Sequence, residues 1–461
     1  MFIGSSGKDD DLALSRQETV NWYIESQPQG ARGAKALIGA PGTRLFAQVG
    51  SGPIKAIYNH NERVYVVSGV EFYELRQDGS SVLLGTLLEG AQPAIVANLT
   101  QVVIVNGFNG YVWDETTNLF TIIADPNFYP TRSGCYMDGY LVFAREGTDQ
   151  FFVSDIDDAL TYPAINFDFA TLRGDNIAAT VSDTRNVWLF GDRTIEPWYN
   201  NGQVTGVPFV PNQGASSLRG TAAYRSVVST QIGVFFLGDD NNVYWMQGYT
   251  PKNISTDAQA KELTQAAMHG GVGDAFAFMQ NIDGHWFYTL TLPTQGRTFV
   301  YDPEENAWHN RESYGLGYWR ASCYEQAFGL NLVGDSQSNK IGSLDRRCYQ
   351  EYDSYWVAQR VSGVNAAGNK LISANRLELV FPSGQVPQNV THEANLRYST
   401  DKGLSFGNPQ KNTIGQAGHG EIRAIWWNMG SARDYVFELS ISSNGPRDLL
   451  EEDFAYEIGG T

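Results

Sequence analysis

Between residues 50 and 353 the chain alternates apolar and polar positions in short runs, each broken by residues that favour turns. The run RTFVYDPEENAWHNR (297–311) shows the unit: a strand rich in aromatic and aliphatic residues stops at Asp302-Pro303, a polar turn follows, and a second strand resumes at Trp308. GYVWDETTNLFTII (110–123) repeats the phrase, with Asp114 ending the first strand and Leu119 opening the second. Period-two alternation on either side of Asp, Asn, Gly and Pro predicts β-hairpins. Further hairpins are predicted over 63–75, 139–155, 186–200, 234–248 and 284–302, with a weaker one over 328–345. Their spacing, roughly 35 to 50 residues, is that of four-stranded propeller blades. A lone hairpin cannot bury both faces, so neighbouring sheets must stack. The pattern therefore predicts a β-propeller-like domain of about six blades over 51–353, with five and seven as the alternatives.

Three segments depart from this rhythm. STDAQAKELTQAAMHGG (255–271) predicts a helix between blades, with Ser255 or Thr256 as cap, Ala260, Leu263 and Ala267 on one apolar face, and a stop at Gly270-Gly271. Residues 1–50 lack periodicity, which predicts an extended arm or one docked strand. From 354 to 461 the alternating strands become longer and cleaner, as in RLELVFPSG and RDYVFELSISSNG, and predict a C-terminal β-sandwich domain. The expected fold class is all-β throughout.

Composition agrees. Only 18% of residues are charged and 48 of 461 are glycine, which suits many short strands joined by tight turns. Thirty-two basic against fifty acidic residues leave a net charge of −18, so a phosphate backbone meets repulsion and tight grip on nucleic acid is disfavoured. A duct that lets a polyanion slide through without sticking would carry the same sign. Cys135, Cys323 and Cys348 are odd in number and far apart, so no disulfide framework is legible. His60, His269, His285, His309, His392 and His419 show no metal-ligand spacing. No metal and no cofactor are expected. The N-terminus lacks an apolar signal region and no apolar run reaches the length of about 20 that crosses a bilayer, so a soluble, unprocessed chain is expected.

The acidic clusters are the main candidates for chemistry. Asp302, Glu304 and Glu305 would serve a glycosidase only as two carboxyls flanking one bond, one of them with a raised pKa. Their recurrence as Asp114-Glu115 favours turn chemistry, in which Asp accepts from nearby amides and Pro sets φ. Asp155, Asp157 and Asp158 depart from the EF-hand spacing and read as a loop held by Asx turns. GDDNN (238–242) reads as a hairpin turn, with a bound calcium ion as the alternative. STDKGLSF (399–406) is similar to the Asp-box of sialidase-type propellers, a hairpin device in that family with no catalytic part. No nucleophile elbow, P-loop or Rossmann glycine motif is present, and no catalytic residue is assigned. The sequons at Asn98, Asn253 and Asn389 carry little without a secretion signal. Aromatic stretches such as IEPWYNNG and AIWWNMG suit inter-sheet core and subunit contacts, with sugar or base stacking as the alternative.

Two longer blocks carry a resemblance. DQFFVSDIDDALTYPAINFDFA (149–170), followed by NVWLFGDRTIEPWYNNG, resembles the central block of the packaged-DNA stabilisation or tail nozzle proteins of short-tailed bacteriophages. NWYIES…AKALIGAPGTRLF resembles that family's opening, and LRYSTDKGLSFG…IWWNMGSARDYVFELSIS its closing β-domain. The resemblance implies a structural virion protein without enzymatic activity, made in the host bacterial cytoplasm. It implies a hexameric ring of copies below the portal and adaptor rings, touching tail needle, spike or fibre proteins. Such a ring retains packaged DNA and opens as a conduit for ejection, with double-stranded DNA passing without sequence-specific binding. It implies no small-molecule substrate and transfers no channel-lining residue. Two rivals predict different behaviour: a carbohydrate-binding or glycoside-hydrolysing propeller, and a scaffold propeller for cellular proteins.

Overall fold

The computed structural model describes residues 2–8, 16–27, 33–382, 386, 390–415 and 422–459. Tight two-residue turns set its local geometry. Asn61-Glu62, Asp138-Gly139, Asp283-Gly284 and Phe328-Gly329 all take positive φ, between 49° and 92°. Two consecutive left-handed residues make the mirror-image turn whose twist matches paired strands, and each of these turns joins the first two strands of a sheet.

Six separate four-stranded sheets, together with four strands of a larger one, form seven antiparallel blades. The first six span residues 54–86, 94–122, 134–169, 177–211, 228–253 and 276–310. In each, the strands follow one another in sequence from the axis to the rim. The first strands of consecutive blades neighbour one another around a circle, and Ala321–Ala327 of the seventh lies against Ile54–His60 of the first. The ring is therefore closed. Between each pair of neighbouring blades sits one apolar cluster, for example Tyr65, Val67 and Phe72 of the first against Val102, Ile104 and Trp113 of the second. Every full burial of such a side chain contributes about 1.5–3 kcal/mol.

The propeller expectation stands, and the blade number is seven, one of the alternatives to six. The seventh is hard to read because its three consecutive strands (321–345) hold few aromatic residues and its fourth comes from elsewhere. That outer strand is Gly42–Gln48, paired antiparallel with Lys340–Asp345. Close approach here requires glycine. A Cβ added at Gly342 would overlap the Thr43 methyl group, and one at Gly42 would overlap the Cys348 carbonyl oxygen.

The helix appears as Asp257–Met268, between the fifth and sixth blades, with Thr256 and Gln259 forming a capping box and Leu263 in the apolar cluster there. Residues 1–50, read as an arm or one docked strand, supply several strands. Arg16–Val20 pairs in parallel with the outer strand of the sixth blade and antiparallel with Ala358–Val361. Trp22–Ser26 and Lys35–Gly39 form a hairpin. Beyond Ala358, two antiparallel sheets share a single apolar cluster that includes Leu377, Phe381, Leu396, Trp426, Phe437 and Leu439. No helix among the described residues is long and apolar enough to cross a membrane.

Substituting Gly342→Ala or Gly42→Ala is expected to cost about 1–3 kcal/mol, because the closing strand would be forced off its partner. Gly214→Ala, where nothing lies within 4 Å of the added carbon, is the control and should stay within about 0.5 kcal/mol. Urea unfolding of the three variants measures the difference.

Candidate functional site

The acidic corners repeat one device. Asp302 ends its strand buried; its Oδ1 accepts the Glu304 and Glu305 amides at 2.9 and 3.3 Å, and its Oδ2 lies 3.0 Å from His285 Nδ1. Glu305 reaches to the N-terminal hairpin, accepting from the Ser26 amide and Lys35 Nζ, both at 2.8 Å. Asp114 likewise takes the Thr116 and Thr117 amides at 2.9 and 3.0 Å. Glu115 crosses from the second blade to the first, where Tyr65 Oη donates to it at 2.6 Å, Asn61 Nδ2 at 2.8 Å, and His60 Nδ1 lies at 3.2 Å. In both corners the aspartate closes its own turn while a following glutamate fastens a neighbouring element.

The electrostatics follow from these bonds. The Thr116 hydroxyl and the Thr117 amide hold the Asp114 carboxyl below the usual range. Burial works against ionising Glu305, yet the donors Lys35 and Ser26 outweigh it and its pKa falls. Glu115 behaves the same way, with Tyr65, Asn61 and His60 outweighing burial. A glycosidase acid needs the opposite shift. Glu304 stays largely exposed, 3.8 Å from His285.

The other clusters are also turns. Asp155 Oδ1 takes the Ile156 amide and Asp158 Oδ1 the Leu160 amide, both at 2.9 Å, while the Asp157 carboxylate faces the Tyr136 hydroxyl at 3.4 Å. Asp240 accepts from the Asn242 amide at 3.1 Å and the Tyr244 hydroxyl at 2.7 Å, and Asp239 binds Arg219 at 2.9 Å. In the Asp-box-like stretch, Asp401 accepts from Ser399 Oγ and from the amide and hydroxyl of Ser405, bonds that drive its pKa far down. Among the described residues no three of His, Cys, Asp and Glu group to hold a metal ion. His419 and Asn389 lie outside the described residues.

Two features were not legible in the sequence. Across the seven innermost strands the only charged side chains besides His60 are Lys55, Asp183 and Glu325. Burial pushes the Glu325 carboxyl up to about 7. At the junction of the sixth and seventh blades with the C-terminal sheets, a ladder of rings and guanidinium groups is buried. The Arg311 guanidinium lies 3.8 Å from the Trp319 ring centroid and 5.3 Å from that of Trp356, and Arg447 lies 5.1 Å from Trp356. Buried Glu351 accepts from Trp319 Nε1 at 3.1 Å. Cation–π contacts of this kind, removed from water, contribute about 2 kcal/mol each. A sequence signal existed only in retrospect, as the Trp and Arg residues spread over 311–356 and 447.

Asp302→Ala should cost about 1–3 kcal/mol through the two abandoned amides. It should also change the pH profile. The Asp302 hydrogen bond raises the folded-state pKa of His285 above its ordinary 6.5, against the pull of burial. The pair's contribution is thus fully present below 6.5 and lost as pH rises through the raised value. Denaturation from mildly acidic to mildly alkaline pH is expected to show a wild-type advantage over the variant that shrinks with rising pH.

The geometry has parallels among known proteins. Residues 4–349 match a family described as bacteriophage P22 Gp10, beta-propeller. No curated protein matches the chain in sequence. A chain of the mitotic checkpoint complex is 11% identical, with 70% of this chain and 95% of that one covered and a TM-score of 0.47. The Pan2 WD40 domain of Neurospora crassa is 8% identical, covering 67% and 96%, with a TM-score of 0.43. The extracellular domain of a putative hybrid two component system from B. thetaiotaomicron is 9% identical over 69% of this chain, which spans only 40% of that one, with a TM-score of 0.44. The fold rests on the seven sheets themselves, and the family match covers far more than half of the sequence. The chain belongs to the P22 Gp10 β-propeller family of phage structural proteins, whose role is the stabilisation of packaged DNA.

Proposed function

We propose that the chain is a tail hub or nozzle subunit that assembles into a hexameric ring below the portal and adaptor rings. In this reading the ring retains the packaged genome, contacts needle, spike or fibre proteins, and serves as the conduit for ejection by steric occlusion, without covalent chemistry. We also read 354–461 as a sandwich domain carried beside the propeller.

The observation that carries the assembly is the rim of the first three blades. Their outer strands, SVLLGT, LFTI and FDF, hold one charge among thirteen residues and no proline. Leu83, Leu119, Ile122 and Phe169 are 45–60% exposed there. Unprotected apolar edges invite association, and monomers blunt them with proline, lysine or a covering segment. The outer strands of the fourth and fifth blades hold Pro211, and Pro251 with Lys252, and that of the sixth is covered by Arg16–Val20. An apolar arc on a chain of charge −18 is where like copies meet with least repulsion. The acidic balance also suits a wall past which DNA slides.

A carbohydrate-active role requires carboxyls that converge on one bond, whereas Asp302 and Glu305 at one corner and Asp114 and Glu115 at another are each occupied by their own donors. Native mass measurement and negative-stain imaging test the proposal. Wild type should form rings, and the combined Leu83→Asp, Ile122→Asp, Phe169→Asp variant should run as a monomer with unfolding stability within about 1 kcal/mol of wild type, since all three side chains are exposed. A strictly monomeric wild type, absent from phage tails, would overturn it.

A further inference from the structure

A cleft of about 570 Å³ opens where the seventh blade meets the C-terminal sheets, within the range of ligand sites. Its walls include Asp283, Arg346, Arg347, Trp356, Arg447 and Asp448. A second cavity of similar size adjoins it, sharing Arg347 and Tyr349.

Most of the charge here is matched. Arg44 pairs with Asp345 at 2.7 Å, and Arg346 pairs with Asp283 at 3.0 Å and lies 3.9 Å from Asp448. Asp448 also accepts the Gly39 amide at 2.9 Å. Two arginines remain. Among the described residues neither Arg347 nor Arg447 has a carboxylate within ion-pair distance, although the chain holds 50 acidic residues against 32 basic ones. Arg347 is exposed. Arg447 is only 2% exposed; its Nη2 donates to the Tyr349 carbonyl at 2.7 Å and the Ser443 carbonyl at 3.3 Å, while Nε and Nη1 have no acceptor. Those two nitrogens are closed off from solvent, so a ligand in the cleft meets the charge of Arg447 and not its idle donors; a buried guanidinium without a counter-charge is costly, and an anion nearby lowers that cost.

We propose that this cleft binds a carboxylate-bearing ligand, held by Arg347 at the surface and by the charge of Arg447, which has no carboxylate partner, in the wall. Three arginines line the cleft against Asp283, Asp345 and Asp448, so carboxylates that each bring one charge to one guanidinium are favoured over phosphate, which gathers up to two charges on a single centre. The volume admits a small dicarboxylic acid or two or three acidic side chains of a neighbouring subunit, and it excludes duplex DNA. The same chemistry serves both sources. The proposal does not depend on ring formation, because binding can be read on the isolated chain.

Calorimetric titration of the full chain with glutarate, a pentaglutamate peptide, inorganic phosphate and a short DNA duplex separates the outcomes. A carboxylate probe should bind, and Arg347→Ala and Arg447→Lys should each weaken it about tenfold or more. Stronger binding of pentaglutamate assigns the site to a partner segment, and equal or stronger binding of glutarate assigns it to a free acid. Melting curves establish that each variant is folded, and Arg347→Ala, at an exposed position, keeps the test decisive if Arg447→Lys is not. The proposal is overturned if neither carboxylate binds at millimolar concentration. It is equally overturned if Arg347→Ala leaves binding unchanged, or if phosphate or the duplex binds more tightly than both carboxylates.

Discussion

Closure of the ring is the constraint from which the other features descend. A blade is a sheet with two apolar faces, and each face is buried only because a neighbouring blade covers it. Seven clusters at seven blade interfaces satisfy every sheet, whereas one gap would expose two faces at once. The gap is closed by Gly42–Gln48 on Lys340–Asp345, a pairing of strands nearly three hundred residues apart in the chain. Such a contact carries a large loop-closure entropy and rewards folding only when the whole wheel is assembled. Gly42 and Gly342 matter because the backbones meet there with no room for a side chain.

The chain ends exploit that closure. Having completed the seventh blade from outside, the N-terminal segment also binds the C-terminal sheets. Trp22 Nε1 donates to the Arg447 carbonyl at 2.7 Å, and buried Arg360 donates to Thr19 Oγ1 at 2.6 Å and to the Phe2 carbonyl. The ladder of Trp319, Arg311, Trp356 and Arg447 runs through the same region. All of this bulk lies against the sixth and seventh blades, so the rim of the first three is left bare. The molecule has one braced side and one open side.

Charge is distributed by the same logic. The corner aspartates saturate turn amides, and the corner glutamates tie one element to the next, so much of the negative charge doubles as fastening. At the two corners each carboxylate has its own donors, Asp302 apart from Glu305 and Asp114 apart from Glu115. Polar and apolar contacts both span the blade boundaries, as Glu115 and the cluster holding Tyr65 and Trp113 do between the first and second blades.

The sequence by itself determined the local grammar. Period-two strands, the helix with Ser255 or Thr256 as its cap and the role of Asp114 and Asp302 as turn acceptors all depend on residues a few positions apart, and all were legible there. The phage family was also legible, through the blocks at 149–170 and 186–202. The number of blades, the source of the closing strand, the partners of Glu115 and Glu305, and the arginines left without a carboxylate were decided only in the tertiary structure. Each of these depends on which distant segments come to lie side by side, and hydrophobic periodicity records the face a residue turns inward without recording what that face will meet.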